Sequence, residues 1–426
     1  MGWDGFVAAQ CAISRKVYLL STVSSASEEY ISDLVAARQP GWTLGREFYT
    51  EASIFGADIE RVFRRNWLYA GHSSRIPNRG DYFLYEVAGE SVILIRAQDG
   101  SVRALRNTCR HRGSRVCTAA AGHAPKLICP YHQWVYELDG TLLRARLMPA
   151  DFDRSGFALR TVQVQIFCGL IFICLDADPP DFVRFVERVG QQLAPQNVDI
   201  ARVVHQCEYV VQSNWKLVLE NSRECYHCGT GHPQYCRAVG FAAGIDSARM
   251  AEEDDALARE RIEDLQKRGI EARPVPFSEG VWFHARRFFL RGNFETESMD
   301  GKPVAPPLAA LSGSELGVLA VVTYPNLLLE ACADYAIVMR FTPLTTTNTH
   351  VSMEWLVAPD AVAGRDFEVS RVEEFWRLTA EQDRRLCEEN QKGVNTFSYL
   401  PGRYAPQERG VEQFIDWYTT ELCNHR

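Results

Sequence analysis

The chain is short of the features that mark the commonest partners and addresses. It has no block of Lys and Arg. Its 46 basic residues face 54 acidic ones, a formal charge of −8, so the clustered cations that drive phosphate binding are missing and no nucleic-acid partner is expected. No apolar run approaches the ~20 residues of a membrane span, and no membrane association is expected. Neither a Gly-rich dinucleotide fingerprint nor a P-loop occurs. Thirteen cysteines are an odd, irregularly spaced set in a chain of 426 residues, which argues against a disulfide framework and for a reducing, cytoplasmic setting. Their thiols are expected as metal ligands or buried hydrophobes. Arg15-Lys16 followed by VYLLSTVSSAS imitates a secretion signal only weakly, and residues 1–33 read as a poorly ordered leader.

What is present is enough for two domains, an N-terminal segment with a β-rich domain over 34–175 and a second domain over 176–426. A helix is expected between Glu47 and Trp67. Strand-like runs follow at 82–87, 91–97 and 101–106, the last two joined by Gln98-Asp99-Gly100, and a further hairpin at 134–143 turns on Asp139-Gly140. Runs at 161–175 continue the β pattern, and a helix opens behind Pro179-Pro180. A strand at 203–211 and a charged helix at 251–268 precede a stretch from 280 to 357 whose period of two predicts an antiparallel sheet. A long helix is expected from Asp366 to Lys392. The fold class is therefore α+β, an antiparallel β domain followed by an antiparallel sheet with long helices.

Two pairs of residues stand out in the first domain. Cys109 and His111 form C-x-H, and seventeen residues later Cys129 and His132 form C-x2-H. One thiol and one imidazole on each of two loops suits a Rieske [2Fe–2S] cluster, in which thiolates hold one iron and imidazoles the other. Structural zinc is the alternative, but a zinc finger groups its cysteines on one arm and its histidines on the other.

The second domain carries NWKLVLENSRECYHCGTGH over 214–232. If this is one helix, an advance of about 100° per residue puts Glu220, Glu224 and His227 within a roughly 60° arc, with Trp215, Val218 and Leu219 opposite and Gly229-Thr230-Gly231 ending the helix before His232. Two imidazoles and one carboxylate make the facial set that holds ferrous iron and leaves positions open for dioxygen. The third donor is expected at Asp383, which falls on the inner stripe of the last helix with Val372, Phe375, Trp376, Thr379 and Leu386. A carboxylate there needs a metal or a salt bridge to a nearby arginine.

These motifs, with EQDRRLCEENQKG and YLPGRY (399–404) near the end, resemble the catalytic α subunit of Rieske non-heme iron oxygenases, in the branch that acts on quaternary ammonium compounds such as glycine betaine and proline betaine. The resemblance runs from Leu34 to Leu422. It implies a Rieske domain followed by a helix-grip domain, packed as a homotrimer in which the cluster of one subunit feeds the iron of its neighbour. Carried over residue by residue, it implies that Cys109, His111, Cys129 and His132 hold the cluster and that His227, His232 and Asp383 hold Fe(II). Glu224 matches the acid bridging the two centres, with Asn221 and Glu220 as supports. The Glu form points to the quaternary-ammonium branch.

The implied reaction is O2-dependent hydroxylation of a C–H bond next to nitrogen, giving N-demethylation. NADH is expected to deliver electrons through a separate flavin and iron–sulfur reductase. Because a permanent ammonium has no N–H to donate, aromatic faces are expected to recognise it, with Trp282, Phe283, Phe288, Phe289 and Tyr324 as candidates. The rival activity is hydroxylation of an aromatic or aliphatic acid. Readings from other classes are a Rieske electron carrier, which needs only the first domain, and a zinc-binding protein built on Cys225 and Cys228.

Overall fold

The computed structural model describes residues 25–239, 247–277 and 281–424. It contains two compact units, one formed by residues 63–181 and the other by residues up to 62 together with 182 onward. Among the described residues no helix is long and apolar enough to cross a membrane.

The smaller unit is built from antiparallel strands. A four-stranded sheet runs in the order Val102–Arg106, Glu90–Arg96, Asp81–Val87, Ala121–His123. Two three-stranded sheets accompany it, one from Leu68–His72, Leu170–Cys174 and Gln163–Phe167, the other from Leu127–Ile128, Val135–Tyr136 and Leu142–Arg144. Ile93, Leu105, Trp134 and Tyr136 are fully or nearly fully buried in one cluster that also takes in Cys109 and Cys129. Both cysteines are thus anchored in the core at the base of their loops.

The larger unit centres on a six-stranded antiparallel sheet, ordered Arg202–Val211, Asn348–Val357, Tyr335–Thr345, Leu327–Ala331, Val318–Thr323, Phe283–Phe288. The helix Val369–Val394 packs on the strand Arg202–Val211 and on the short helix Trp215–Asn221. The helix Val183–Leu193 covers the strands at the opposite edge. A closing helix, Arg409–Cys423, has no counterpart in the sequence expectations.

The expected domain limits need correction at the N-terminal side. Residues 34–62 belong to the larger unit, because polar residues there are satisfied inside it. Asp58 is wholly buried and accepts from Lys216 Nζ at 2.5 Å, Trp215 Nε1 at 2.9 Å and Tyr418 Oη at 2.7 Å. Tyr49 donates to Glu220 at 2.9 Å, and Arg38 pairs with Asp416 at 2.7 Å. Of the expected leader, residues 1–24 lie outside the described residues, while Glu28–Ala36 is a helix capped by Ser27.

Candidate metal centres and active site

In the smaller unit the two Cys/His loops share one backbone design. The N–H of Cys109 donates to Ser114 O at 2.8 Å and the N–H of Gly113 returns to Cys109 O at 3.0 Å. Likewise Cys129 donates to Trp134 O at 2.9 Å and Gln133 to Cys129 O at 3.0 Å. The offsets of four and five residues match, although the His offsets differ. Gly113 and Gln133 occupy the same place in their loops and both take a left-handed φ, +77° and +58°, a cost that Gly avoids and Gln does not. The loop tips bring the His111 and His132 rings to 4.6 Å between centroids, and His111 stacks on Trp134 at 4.8 Å. Cys109 and Cys129 are buried and not disulfide-bonded. Tyr136 Oη lies 3.2 Å from Cys109 Sγ, positioned to donate to a thiolate. Two free buried thiols and two neighbouring imidazoles are the donor set of a Rieske cluster.

In the larger unit the expected single helix over 214–227 is shorter than its periodicity predicts. Asn214 caps it, accepting from Lys216 N at 2.9 Å, but it ends at Asn221, where Ser222 Oγ donates to Leu219 O at 2.7 Å. Glu224 then holds the following turn with its side chain. Its Oε2 accepts the backbone N–H of Tyr226 and, at 3.2 Å, that of His227. Its Oε1 accepts from His227 Nδ1 at 2.5 Å. Cys225 and Cys228 close the same turn as a disulfide, which corrects the expectation that the cysteines stay as thiols. Cys228–Gly231 forms one helical turn, and His232 follows it.

This path brings the three expected donors together. His227 Nε2 and His232 Nε2 are 3.1 Å apart, and Asp383 Oδ1 lies 3.2 Å from the first and 2.9 Å from the second. Cis donors bound at about 2.1 Å to one ion stand about 3.0 Å apart, so the triad fits a single metal. Cys228 Sγ is 4.0 Å from His227 Nε2, but its sulfur is bonded to Cys225 and cannot serve as a thiolate. Each ligand imidazole is oriented through its other nitrogen. His227 Nδ1 is held by Glu224, and His232 Nδ1 meets Gln382 Oε1 at 2.7 Å. Gln382 is itself held by Gln234 Nε2 at 2.8 Å. Such partners fix ring orientation and raise ligand basicity.

The electrostatics favour a cation between these groups. Burial works against a charged His227, but hydrogen bonds to Asp383 and Glu224 outweigh it and raise the imidazole to about 9. Burial pushes Asp383 upward, and the two histidines more than reverse this, leaving it below its ordinary value.

A cavity of about 90 Å³ opens on the triad. At ~10–15 Å³ per water-sized site it has room for roughly six to nine non-hydrogen groups, the size of a small metabolite. Tyr209, Tyr235, Phe341 and Trp376 line it, together with Leu328 and Met339. The acid Glu330 also reaches the wall.

Several sequence expectations land elsewhere. Asn221 does reach the site, with Nδ2 3.4 Å from His227 Nε2, whereas Glu220 turns away to Tyr49. Leu386 is 41 % exposed, and Cys387 takes the buried position on the helix instead. None of the five expected aromatic contacts lines the cavity. Trp282 and Phe283 pack against Phe185, with ring centroids at 5.0 and 5.2 Å. Phe288 is buried at the end of its strand, and Phe289 packs on Leu265, Ala272 and Leu316. Tyr324 stacks on Phe277 at 4.8 Å and meets Trp417 at a tilt, 4.9 Å between centroids. These rings cover the edge of the sheet remote from the long helix that carries Asp383. The lining rings come instead from separate elements, and of these only Trp376 carries a sequence signal, its place on the inner stripe.

Comparison with known proteins matches a family description to each part of the chain. The family description "Rieske [2Fe-2S] domain" matches residues 66–163, and "Ring hydroxylating alpha subunit (catalytic domain)" matches residues 198–422. The chain is 35 % identical over 402 residues to a glycine betaine monooxygenase oxygenase subunit of Pseudomonas aeruginosa, covering 92 % of each. A carnitine monooxygenase oxygenase subunit of Escherichia coli is 30 % identical over 223 residues, 51 % of this chain and 60 % of that one. Among solved structures, one of a quaternary ammonium Rieske monooxygenase superposes with a TM-score of 0.71 at 21 % identity, covering 94 % of this chain and 99 % of that one. With its paired Cys/His loops and its two-histidine, one-carboxylate triad, the chain belongs to the catalytic α subunits of the Rieske non-heme iron oxygenases, oxygen-incorporating oxidoreductases that carry a [2Fe–2S] cluster and a mononuclear iron.

Proposed function

We propose that this chain is the terminal oxygenase of a monooxygenase system that removes a methyl group from a small quaternary ammonium compound such as glycine betaine or proline betaine. The observation that carries this reading is the cavity on the triad, where four aromatic side chains and a carboxyl group surround a space suited to a small molecule. Aromatic faces attract a cation that cannot donate a hydrogen bond. The similarity to glycine betaine and carnitine monooxygenase subunits supports the same substrate class.

In this reading His227, His232 and Asp383 hold Fe(II), and Cys109, His111, Cys129 and His132 hold the cluster. Iron held there, fed with electrons from the cluster, supplies O2 activation. The chain's own residues do the positioning. Glu224 and Gln382 lock the two imidazoles, and Leu328, Met339 and Val351 exclude water from the wall facing them. The aromatic faces hold the ammonium so that an N-methyl group points at the triad. The substrate takes up one oxygen atom at that methyl carbon, with two electrons and two protons consumed and the second oxygen leaving as water. The N-hydroxymethyl product then loses formaldehyde and a proton to give the demethylated amine. The electrons come from NADH through a separate flavin and iron–sulfur reductase. Assembly is a homotrimer, with Glu224 linking the iron to the neighbouring subunit's cluster.

The test is an NADH-coupled assay with a Rieske reductase, scanning glycine betaine, proline betaine and uncharged aromatic acids while measuring formaldehyde. Formaldehyde formed in step with NADH on a betaine is the expected result. Turnover of neutral aromatics alone, without formaldehyde, would overturn the proposal.

A further inference from the structure

The cavity holds one acid that neither the triad nor its supports use. Glu330 lies on the strand Leu327–Ala331, opposite Ile337 on one neighbour and Ala320 on the other. The period of two puts it on the same face as Leu328, and both line the cavity. It is 7 % exposed, and Glu297 behind it is 1 % exposed. Glu297 Oε2 accepts from Trp376 Nε1 at 3.1 Å and from Cys332 Sγ at 3.7 Å. Glu297 Oε1 and Glu330 Oε2 meet no donor among the described residues. The two carboxyl groups act on each other electrostatically, and two negative charges in one buried site oppose each other's ionisation. Burial lifts Glu297 to about 7. Burial, with the charge of Glu297 beside it, lifts Glu330 well above the carboxylate range. Burial and mutual repulsion therefore both oppose a negative charge on this pair.

The surrounding groups leave that charge largely unanswered. Arg286 stands in the same row of the sheet, opposite Ala320, and attracts Glu330, but it is exposed and its pull is screened by water. Arg384 lines the cavity but is engaged by Glu381 at 2.8 Å and Glu388 at 3.5 Å. Asp334 adds a further acid, held by Thr296 Oγ1 at 2.6 Å and by the N–H of Val304 at 2.7 Å. A buried carboxyl lacking a counter-ion is costly. The cost is relieved if the ligand brings the cation.

We propose that Glu330, backed by Glu297, is the residue that selects a cationic substrate, its carboxyl supplying the counter-charge for an ammonium held in the cavity that Tyr235 and Trp376 line. This rests on the substrate class argued above. A cation beside the buried acid favours its ionised form, so that uptake of a positive ligand releases a proton from the protein. A neutral ligand of the same shape leaves the proton where it is.

The experiment is anaerobic calorimetric titration of the reduced, iron-loaded full chain with two matched pairs, glycine betaine against 3,3-dimethylbutanoate and choline against 3,3-dimethyl-1-butanol. Within each pair a trimethylammonium group is exchanged for a tert-butyl group. The wild type is expected to prefer the cation of each pair, with a heat that varies with buffer ionisation enthalpy because a proton is released. Glu330→Gln is expected to lose ~10- to 100-fold in affinity for the cations only, the range for a charge-assisted contact, and to lose the buffer dependence. Glu297→Gln keeps the pocket acid, so it is expected to keep the cation preference. Cluster absorbance and iron content equal to the wild type show that each variant is folded. If the wild type shows no preference for either cation, the proposal falls. It also falls if Glu330→Gln keeps the wild-type preference, or if Glu297→Gln loses the preference, the outcome that decides the matter should Glu330→Gln not fold. A Glu330-dependent preference without formaldehyde production would leave this proposal standing and overturn the demethylation reading.

Discussion

Replacing Glu224 should loosen the iron without touching the cluster. Glu224 makes three contacts, to His227 Nδ1 at 2.5 Å, to the His227 N–H at 3.2 Å and to the Tyr226 N–H. The first acts directly on a ligand imidazole and is charge-assisted, worth about 1.5–3 kcal/mol. Glu224→Ala removes all three, so His227 loses both its fixed tautomer and the turn that aims it. The corresponding loss of iron affinity is ~10–100-fold, the range seen when a partner of a metal-ligating histidine is deleted. Glu224→Gln keeps an acceptor oxygen and loses the charge, and is expected to cost a few-fold, on the order of 1 kcal/mol. Competition with a chromophoric Fe(II) chelator reads the affinity, and the visible spectrum of the cluster serves as the internal control, since its four donors lie in the other unit. Iron retention in Glu224→Ala within a factor of two of the wild type would refute the reasoning, as would loss of the cluster in parallel.

Three further outcomes follow from other buried groups. Lys216→Met leaves Asp58 with two neutral donors and no cation in a site where both side chains are fully buried, and is expected to destabilise the larger unit by about 3–5 kcal/mol; chemical denaturation reads it, and adding Asp58→Asn should recover much of the loss. Tyr136→Phe removes the hydroxyl facing Cys109 Sγ, so the cluster potential should fall by about 20–60 mV in voltammetry, one hydrogen bond converted for a one-electron couple. Glu220 gives a pH signature. Burial raises it to about 8 against the opposing effects of the Tyr49 hydrogen bond and the Lys216 charge. Its folded value thus lies above the unfolded one, so the folded chain holds the extra proton, and stability is full below about 4.5 and lost as pH rises towards 8. Glu220→Gln removes that slope, on the order of a few kcal/mol across the window, and thermal midpoints at pH 5 and 8 should converge. A slope unchanged in the variant would show that the carboxyl is ionised throughout.

The difference between what could be read from the sequence and what could not lies in how many elements each feature draws on. The cluster donors sit two and three residues apart on loops, so their chemistry is visible in one dimension. The loop symmetry that supports them is not, because it consists of backbone bonds between positions with unlike residues, Gly113 and Gln133. His227, His232 and Asp383 were legible for the same reason as the cluster, two by spacing and one by a polar interruption of an apolar stripe. Helical periodicity misled at Glu220 because it assumes that the helix continues, and here a side chain competes with the backbone: Glu224 takes the N–H groups of residues 226 and 227, ending the helix and setting Glu220 and His227 on different surfaces. The aromatic wall was the least legible part. Tyr209, Phe341, Trp376 and Tyr235 come from two strands and two helices, so no window contains them, whereas the dense run at 282–289 is dense because it packs against the helix Val183–Leu193 and its neighbours. Local aromatic density reports core packing, since a sheet edge under a helix needs rings close in sequence. A binding cavity gathers single residues from many elements, and the sign that singles one out is a buried acid on an otherwise apolar wall. Glu330 carries that sign on its strand, and its burial becomes visible only once the sheet is paired.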